Sequence, residues 1–221
     1  MISENAGSEK SFWRRPMNTE EKDTLRFEKE EMEKGAYFIA GMDEAGRGPL
    51  AGPVVAAAVI MPLDDPIEGV DDSKKVSEKK REKLYDVIRE KAIAYKIVAV
   101  DEKVIDEINI LEATKKAMYA CIDGLPIPPD VVLVDAVKLK AKVPTRSIIK
   151  GDALSYSIAA ASILAKVYRD RLMRDYDALY PEYGFLKHKG YGTKEHTDAL
   201  RKIGPCPIHR RTFIKHFTDD E

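Results

Sequence analysis

Cysteine is nearly absent from this chain: Cys121 and Cys206 are the only two in 221 residues. Two isolated thiols build no disulfide scaffold and have no metal-ligand spacing, so a reducing cytoplasm is the expected setting. Long apolar runs are lacking as well. The longest, Leu50 to Pro62, is interrupted by Gly52 and Pro53 and falls short of the ~20 residues a spanning helix needs. The opening MISENAGSEKSFWRR carries Glu4 and Glu9 where a secretory leader has an apolar stretch. Neither sign of charge dominates. Lys and Arg number 37 against 38 Asp and Glu, and a net −1 speaks on its face against a nucleic-acid partner. Repeats and low-complexity tracts are missing too. What is present is 44% hydrophobic residues, enough for a buried core and too many for a wholly disordered chain.

The pattern divides the chain into a polar arm over 1–17 with Trp13 its large apolar side chain, a domain over 18–217, and a tail over 218–221. Residues 18–34 read as a charged amphipathic helix, with Asn18 or Thr19 as N-cap and Glu21 completing a capping box. Residues 37–46 and 52–62 read as two strands, the second apolar throughout and so buried on both faces. Helices are expected over 77–92, 102–125 and about 153–176, and strands over 95–100, 131–136 and 147–152. Residues 181–217 read as loops and short helices. Two adjacent strands followed by strands alternating with helices predict an α/β sheet of mixed direction, covered on both sides.

Acids sit where these strands stop. Asp43 and Glu44 close the first, Asp135 the fourth and Asp152 the fifth. Ligands of open α/β sheets gather beyond the carboxyl ends of strands, so such acids converge on one crevice. Carboxylates crowded together raise one another's pKa, and a hard divalent cation relieves them; oxygen donors alone suit Mg²⁺ or Mn²⁺ rather than zinc. A carboxylate-held metal pair is an apparatus of phosphodiester hydrolysis. Singly, each acid has a structural alternative: Asp135 could cap a turn and Asp152 could cap the long helix. Neighbours on a strand also point to opposite faces, so Asp43 and Glu44 share one site only if the strand ends there. Next comes Gly46-Arg47-Gly48, where glycines permit close backbone approach and Arg forks onto phosphate.

GMDEAGRGPLAGPVVAAAVI (41–60) resembles the signature of bacterial type 2 ribonuclease H, the ribonuclease HII family. The likeness continues through DDSKKVSEKKR (71–81), INILEAT (108–114), VLVDA (132–136), KGD (150–152), SIAAASILAKVYRDR (157–171), YPEYGFLKHKGYGTKEH (180–196) and HRRTF (209–213). It implies a ribonuclease H-like fold, a mixed five-stranded sheet flanked by helices with a helical C-terminal portion. It also implies cleavage of the RNA strand of RNA–DNA hybrids, and of duplex DNA 5′ to a lone ribonucleotide. The products would carry a 3′-hydroxyl and a 5′-phosphate. Carried over, the metal-binding catalytic acids are Asp43, Glu44, Asp135 and Asp152, holding two Mg²⁺ or Mn²⁺ ions. Asp170 lies 18 residues past Asp152, about 27 Å along a helix, so the two cannot serve one site; pairing with neighbouring arginines on the helix surface is expected of Asp170.

The resemblance assigns Gly46, Arg47 and Gly48 to the backbone at the ribonucleotide, and Tyr191 to the next sugar. A 2′-hydroxyl both donates and accepts, so backbone amides can test for it. Ser73, Lys74, Asn109, Thr114, Lys187, His188 and Lys189 are further candidates for phosphate contacts, while His196 and His209 suit hydrogen-bonding roles. A monomer is implied. Two rivals stand beside this reading. A type 3 ribonuclease H would carry an extra N-terminal domain, for which the 36 residues before the first strand are too few. A non-catalytic hybrid-binding protein would not need all four acids. The net charge also resolves on partition: residues 138–216 hold 17 Lys and Arg against 7 Asp and Glu, while the rest holds 20 against 31. The basic C-terminal third suits a polyanion.

Overall fold

The computed structural model describes residues 23–218; the expected arm and the capping box at Asn18, Thr19 and Glu21 lie outside the described residues. The first helix, α1, spans Arg26–Glu33. It leads into β1 (Ile39–Ala45) and β2 (Val54–Ile60). Helix α2 (Glu78–Lys91) follows, then β3 (Ala94–Val100). These strands form an antiparallel meander, with Asp43 opposite Ala57 and Ala56 opposite Val98. Helices α3 (Glu102–Ile108) and α4 (Ile110–Asp123) cross over to β4 (Val131–Asp135), which runs parallel to β1. β5 (Thr145–Ile148) pairs parallel to β4, completing the order β3-β2-β1-β4-β5. This is the mixed five-stranded sheet of the ribonuclease H-like fold.

Every residue of β2 is buried, as its unbroken apolar run requires of a strand covered on both faces. The pleat sends Ala56, Ala58 and Ile60 toward Ala113, Ala117, Met118 and Cys121 of α4. Val55, Ala57 and Val59 meet α2 and a long C-terminal helix on the other side. That helix, α6 (Tyr156–Leu179), follows the one-turn α5 (Gly151–Leu154). It lies so close to β1 that a Cβ on Gly41 would fall 2.0 Å from the Ser157 carbonyl carbon. Only glycine permits that approach, which brings the polar side of α6 beside the end of β1.

Two expected helices are each broken by a cap that apolar periodicity does not register. The helix expected over 102–125 divides at Asn109, whose φ is 69° and whose Oδ1 accepts from the amides of Leu111 and Glu112 at 3.0 and 3.1 Å. The helix expected from 153 divides at Ser155, which caps α6 by accepting from the Ile158 amide at 3.3 Å. Asp152 is therefore neither the end of β5, which stops at Ile148, nor the cap of the long helix. It lies in the first turn of α5. Asn109→Ala removes a cap at a backbone conformation that suits alanine poorly, so a loss of about 1.5 kcal/mol in urea unfolding is expected.

Beyond α6, a 3-10 turn (Pro181–Tyr183) and α7 (Phe185–His188), α8 (Lys194–Ile203) and α9 (Arg211–Thr218) form the helical C-terminal portion. Tyr183, Phe185, Leu200 and Ile208 enclose a small core with Met173 of α6 and Ala51. That core anchors the segment between β1 and β2 from below. Asp106 joins this portion to α3 by accepting from the amides of Arg211 and Thr212 at 2.7 and 2.9 Å.

Candidate active site

Three acids meet where parallel β1 and β4 run side by side. Asp43 projects on the same side of β1 as Gly41, toward Ser162 of α6. Asp135 ends β4, and its Oδ1 accepts from the Gly151 amide at 2.7 Å. That bond draws the turn of α5 against the strand end and brings Asp152 into reach. One carboxylate oxygen from each of Asp43, Asp135 and Asp152 lies within 4.8 Å of the others. Glu44 is not in this cluster. β1 continues to Ala45, so the pleat sets Glu44 on the other side of the strand from Asp43, while both still line one crevice. Its Oε1 lies 3.4 Å from Arg47 Nη1, and Oε2 is buried without a hydrogen-bond partner.

The electrostatics follow from this crowding. Burial, then the neighbouring Glu44 and Asp135 charges, push the Asp43 carboxyl well above its ordinary range. Burial also raises Glu44 and Asp135, against the opposing pull of Arg47 on the first and of the Gly151 amide on the second. Lys74 Nζ reaches Asp152 Oδ2 at 3.1 Å, and this hydrogen bond raises the Lys74 ammonium. Three convergent carboxylates and an orphaned buried carboxylate oxygen form an all-oxygen donor set whose negative charge Lys74 and Arg47 offset only in part, which fits a hard divalent cation. Asp43, Asp135 and Asp152 are the residues placed to hold it, with Glu44 beside them.

The crevice is lined by Asp43, Glu44, Gly46, Arg47, Gly48, Ser73, Lys74, Asp135, Ser162, Lys166 and Tyr191. A Cβ on Gly48 would sit 3.8 Å from Tyr191 Cε1, so the glycine loop and the aromatic ring stand together beside the acids. Gly46 has φ +93°, and a Cβ there would meet Arg169 Nε at 2.1 Å. The loop is thus tied from within. Arg210 donates to the carbonyls of Gly46, Arg47 and Gly52 at 2.5–2.9 Å, and Arg169 to those of Ala51, Pro53 and Lys189 at 3.0–3.1 Å. Both guanidiniums are buried and neither pairs with a carboxylate among the described residues. Burial lowers Arg169 to about 10 and Arg210 to about 9, so both stay charged at neutral pH.

Tyr191 is held by a chain of neutral histidines. Its carbonyl lies 2.9 Å from His196 Nδ1, which must donate. His196 Nε2 therefore accepts from His209 Nε2 at 2.9 Å, leaving His209 Nδ1 to accept from the Cys206 amide at 3.0 Å. Burial lowers His196 and pushes His209 down to about 4. The hydrogen-bonding roles expected of these two residues are the ones they fill.

Of the other expected site residues, Ser73 lies in the crevice and the rest are engaged in contacts of their own. Ser73 is buried in the crevice wall, its hydroxyl 2.8 Å from that of Ser162. Thr114 is wholly buried and its hydroxyl donates to the Ile110 carbonyl, so it has no surface to offer a phosphate. Asn109 is engaged as the cap of α4. Lys187 pairs with Glu195 at 2.6 Å, Lys189 donates to the Leu186 carbonyl, and His188 is buried between the Tyr183 carbonyl and the Gly190 amide. Asp170 is buried rather than superficial and pairs with Lys166 at 2.7 Å, not with arginines. The residues that sequence reasoning passed over are Ser162, Lys166, Arg169 and Arg210. A polar stripe at i, i+4, i+8 (Ser162, Lys166, Asp170) through an alanine-rich helix was the available signal.

Acids gathered at the strand ends of a mixed ribonuclease H-like sheet, with a donor set for divalent metal, define a metal-dependent nuclease. Residues 40–216 match the family model described as ribonuclease HII. A ribonuclease HII of Acetivibrio thermocellus is 60% identical over 192 residues, covering 86% of this chain and 75% of the relative. A ribonuclease HII of Ruminiclostridium cellulolyticum is 58% identical over 197 residues, 88% and 77% of the two chains. Among solved structures, the ribonuclease H2 of Pyrococcus horikoshii superposes with a TM-score of 0.71 at 30% identity, over 82% of this chain and 97% of that one. The chain belongs to the ribonuclease HII family, whose members act as endonucleases on the RNA strand of RNA–DNA hybrids. That membership sets aside the type 3 and non-catalytic rivals. Among the described residues, no helix is long and apolar enough to cross a membrane.

Proposed function

We propose that the enzyme also cuts duplex DNA on the 5′ side of a single embedded ribonucleotide, leaving a 3′-hydroxyl and a 5′-phosphate. The observation that carries this reading is the placement of Gly48 against Tyr191 beside the acid cluster. A glycine loop whose carbonyls are drawn inward by Arg210 can turn amides toward a ribose, and amides can test for its 2′-hydroxyl. The adjoining ring of Tyr191, 44% exposed, has a free face for the next sugar, where a missing 2′-hydroxyl leaves room for it. Arg47 and Lys74 stand at the rim as phosphate partners, and Lys166 lines the wall.

The acids Asp43, Glu44, Asp135 and Asp152 are the proposed holders of two Mg²⁺ or Mn²⁺ ions. When bound, such ions supply Lewis acidity that activates water for in-line attack and stabilises the departing 3′ oxygen. Ser162 faces Asp43 and favours its ionised form, while the Gly151 amide fixes Asp135 in position. Removal of ribonucleotides from DNA and of RNA primers is the corresponding cellular work, in a reducing cytoplasm suited to the free thiols of Cys121 and Cys206. A monomer suffices for it, because the proposed site is drawn from one chain.

The test is cleavage of three end-labelled duplexes: one ribonucleotide in DNA, a uniform hybrid, and all DNA, with Mg²⁺, Mn²⁺ or chelator. Expected are cuts 5′ to the ribonucleotide and within the hybrid, only with metal, and none in DNA. A hybrid cut efficiently beside an untouched single-ribonucleotide duplex would overturn the junction reading.

A further inference from the structure

Two loops read the substrate in the proposal above, and one buried guanidinium spans them. Arg169 projects from α6, the longest helix of the fold and the one packed against β1. Its Nε donates to the Pro53 carbonyl at 3.0 Å and its Nη2 to that of Ala51 at 3.1 Å, at the foot of the segment carrying Gly46-Arg47-Gly48. Its Nη1 donates to the Lys189 carbonyl at 3.0 Å, two residues before Tyr191. The same two loops also meet through the Leu50 amide and the Gly190 carbonyl at 2.8 Å. At the far end of the second loop, His196 Nδ1 donates to Tyr191's own carbonyl. Arg169 is 1% exposed, so it cannot touch a nucleic acid and acts only through what it holds.

We propose that Arg169 is a positioning residue that fixes the spacing between the Gly46-Arg47-Gly48 loop and Tyr191, with His196 fixing the Tyr191 end, and thereby sets the preference for a ribonucleotide–DNA junction. The inference rests on the reading that the loop tests the 2′-hydroxyl and Tyr191 packs on the next sugar. The chemistry of the side chain supports it. A guanidinium offers donors in one rigid plane, so three carbonyls bound to it cannot drift independently. Lysine keeps the charge and loses the fork. A uniform hybrid presents ribose on both sides of the scissile bond and has no use for a fixed spacing between a ribose reader and a deoxyribose reader. A junction does.

The experiment is a double-mutant cycle of Arg169→Lys and Tyr191→Ala, reading kcat/KM on the single-ribonucleotide duplex and on the uniform hybrid. Arg169→Lys should lower the junction-to-hybrid ratio about tenfold, the scale of a small misplacement of a reading group. The double variant should fall no further than Tyr191→Ala alone. An equal fall on both substrates, or effects that add, means a purely structural Arg169 and overturns the proposal. If Tyr191→Ala leaves the ratio unchanged, the underlying reading of Tyr191 fails instead, and the two failures are thereby told apart. Should Arg169→Lys not fold, His196→Met takes its place. A thioether fills the site without a donor for the Tyr191 carbonyl, and the same criteria decide.

Discussion

Asp43→Asn is expected to lower kcat on an RNA–DNA hybrid by on the order of 10³-fold or more, with hybrid affinity nearly unchanged. The variant keeps the shape of the side chain and removes one charge from the acid cluster. The fold and the proposed substrate contacts at Gly46, Arg47, Gly48 and Tyr191 are left in place. A second effect follows from the raised Asp43 carboxyl. An acid that titrates higher in the folded than in the unfolded chain costs stability as pH rises through the interval between the two values, because the unfolded chain ionises first. The chelated wild-type protein should therefore weaken from the ordinary carboxylate range upward, and Asp43→Asn should flatten that slope. Mg²⁺ should raise the melting temperature of the wild type and not of the variant. Near wild-type cleavage by the variant would show that Asp43 holds no metal needed for the reaction.

Acid should unfold the enzyme through His209. Its imidazole is pushed down to about 4 from an ordinary 6.5, first by burial and then by the facing His196. A base held neutral in the folded state takes up its proton in the unfolded state first. Stability is therefore full above about pH 6.5 and is lost as pH falls toward 4, by roughly 3 kcal/mol in total. The geometry gives the reason. A protonated His209 would put an N–H where Nδ1 now accepts from the Cys206 amide, and a protonated His196 would set two donors against each other across 2.9 Å. Urea unfolding across pH 4–7 measures the slope. His209→Gln supplies the control, since surface carboxylates titrate equally in both proteins. A variant with the same slope as the wild type would place the acid sensitivity elsewhere.

Particular residues show how far pattern alone reaches. The buried run of β2 and the alternation of strands with helices led directly to a mixed sheet, because burial on two faces leaves a direct mark on composition. Asp43 and Asp135 were legible as strand-end acids. Asp152 was legible as an acid but not as a helical residue, since β5 ends at Ile148 and the bond from the Gly151 amide to Asp135 sets its place. The breaks at Asn109 and Ser155 escaped detection because apolar spacing runs on across both, while the interruption is a matter of side-chain caps. Thr114 shows the opposite error: a residue within a matching motif whose hydroxyl serves its own helix. Glu44 stood in the motif beside Asp43, yet the unbroken pleat turns it toward Arg47.

By itself the sequence determined the family and the order of elements, and it singled out the acids proposed to hold metal, since each is written in local composition or in motifs of adjacent residues. Tertiary structure alone decided which side chains share a site. Nothing in the sequence singled out Arg169 or Arg210, and the fold buries both under the glycine loop with carbonyls as their partners. The histidines 188, 196 and 209 were scattered letters until packing put 196 and 209 within one hydrogen bond of each other. The physical reason is common to all of them. A buried polar group must find its partner across the chain, and linear spacing holds no record of which distant carbonyl or ring will be there.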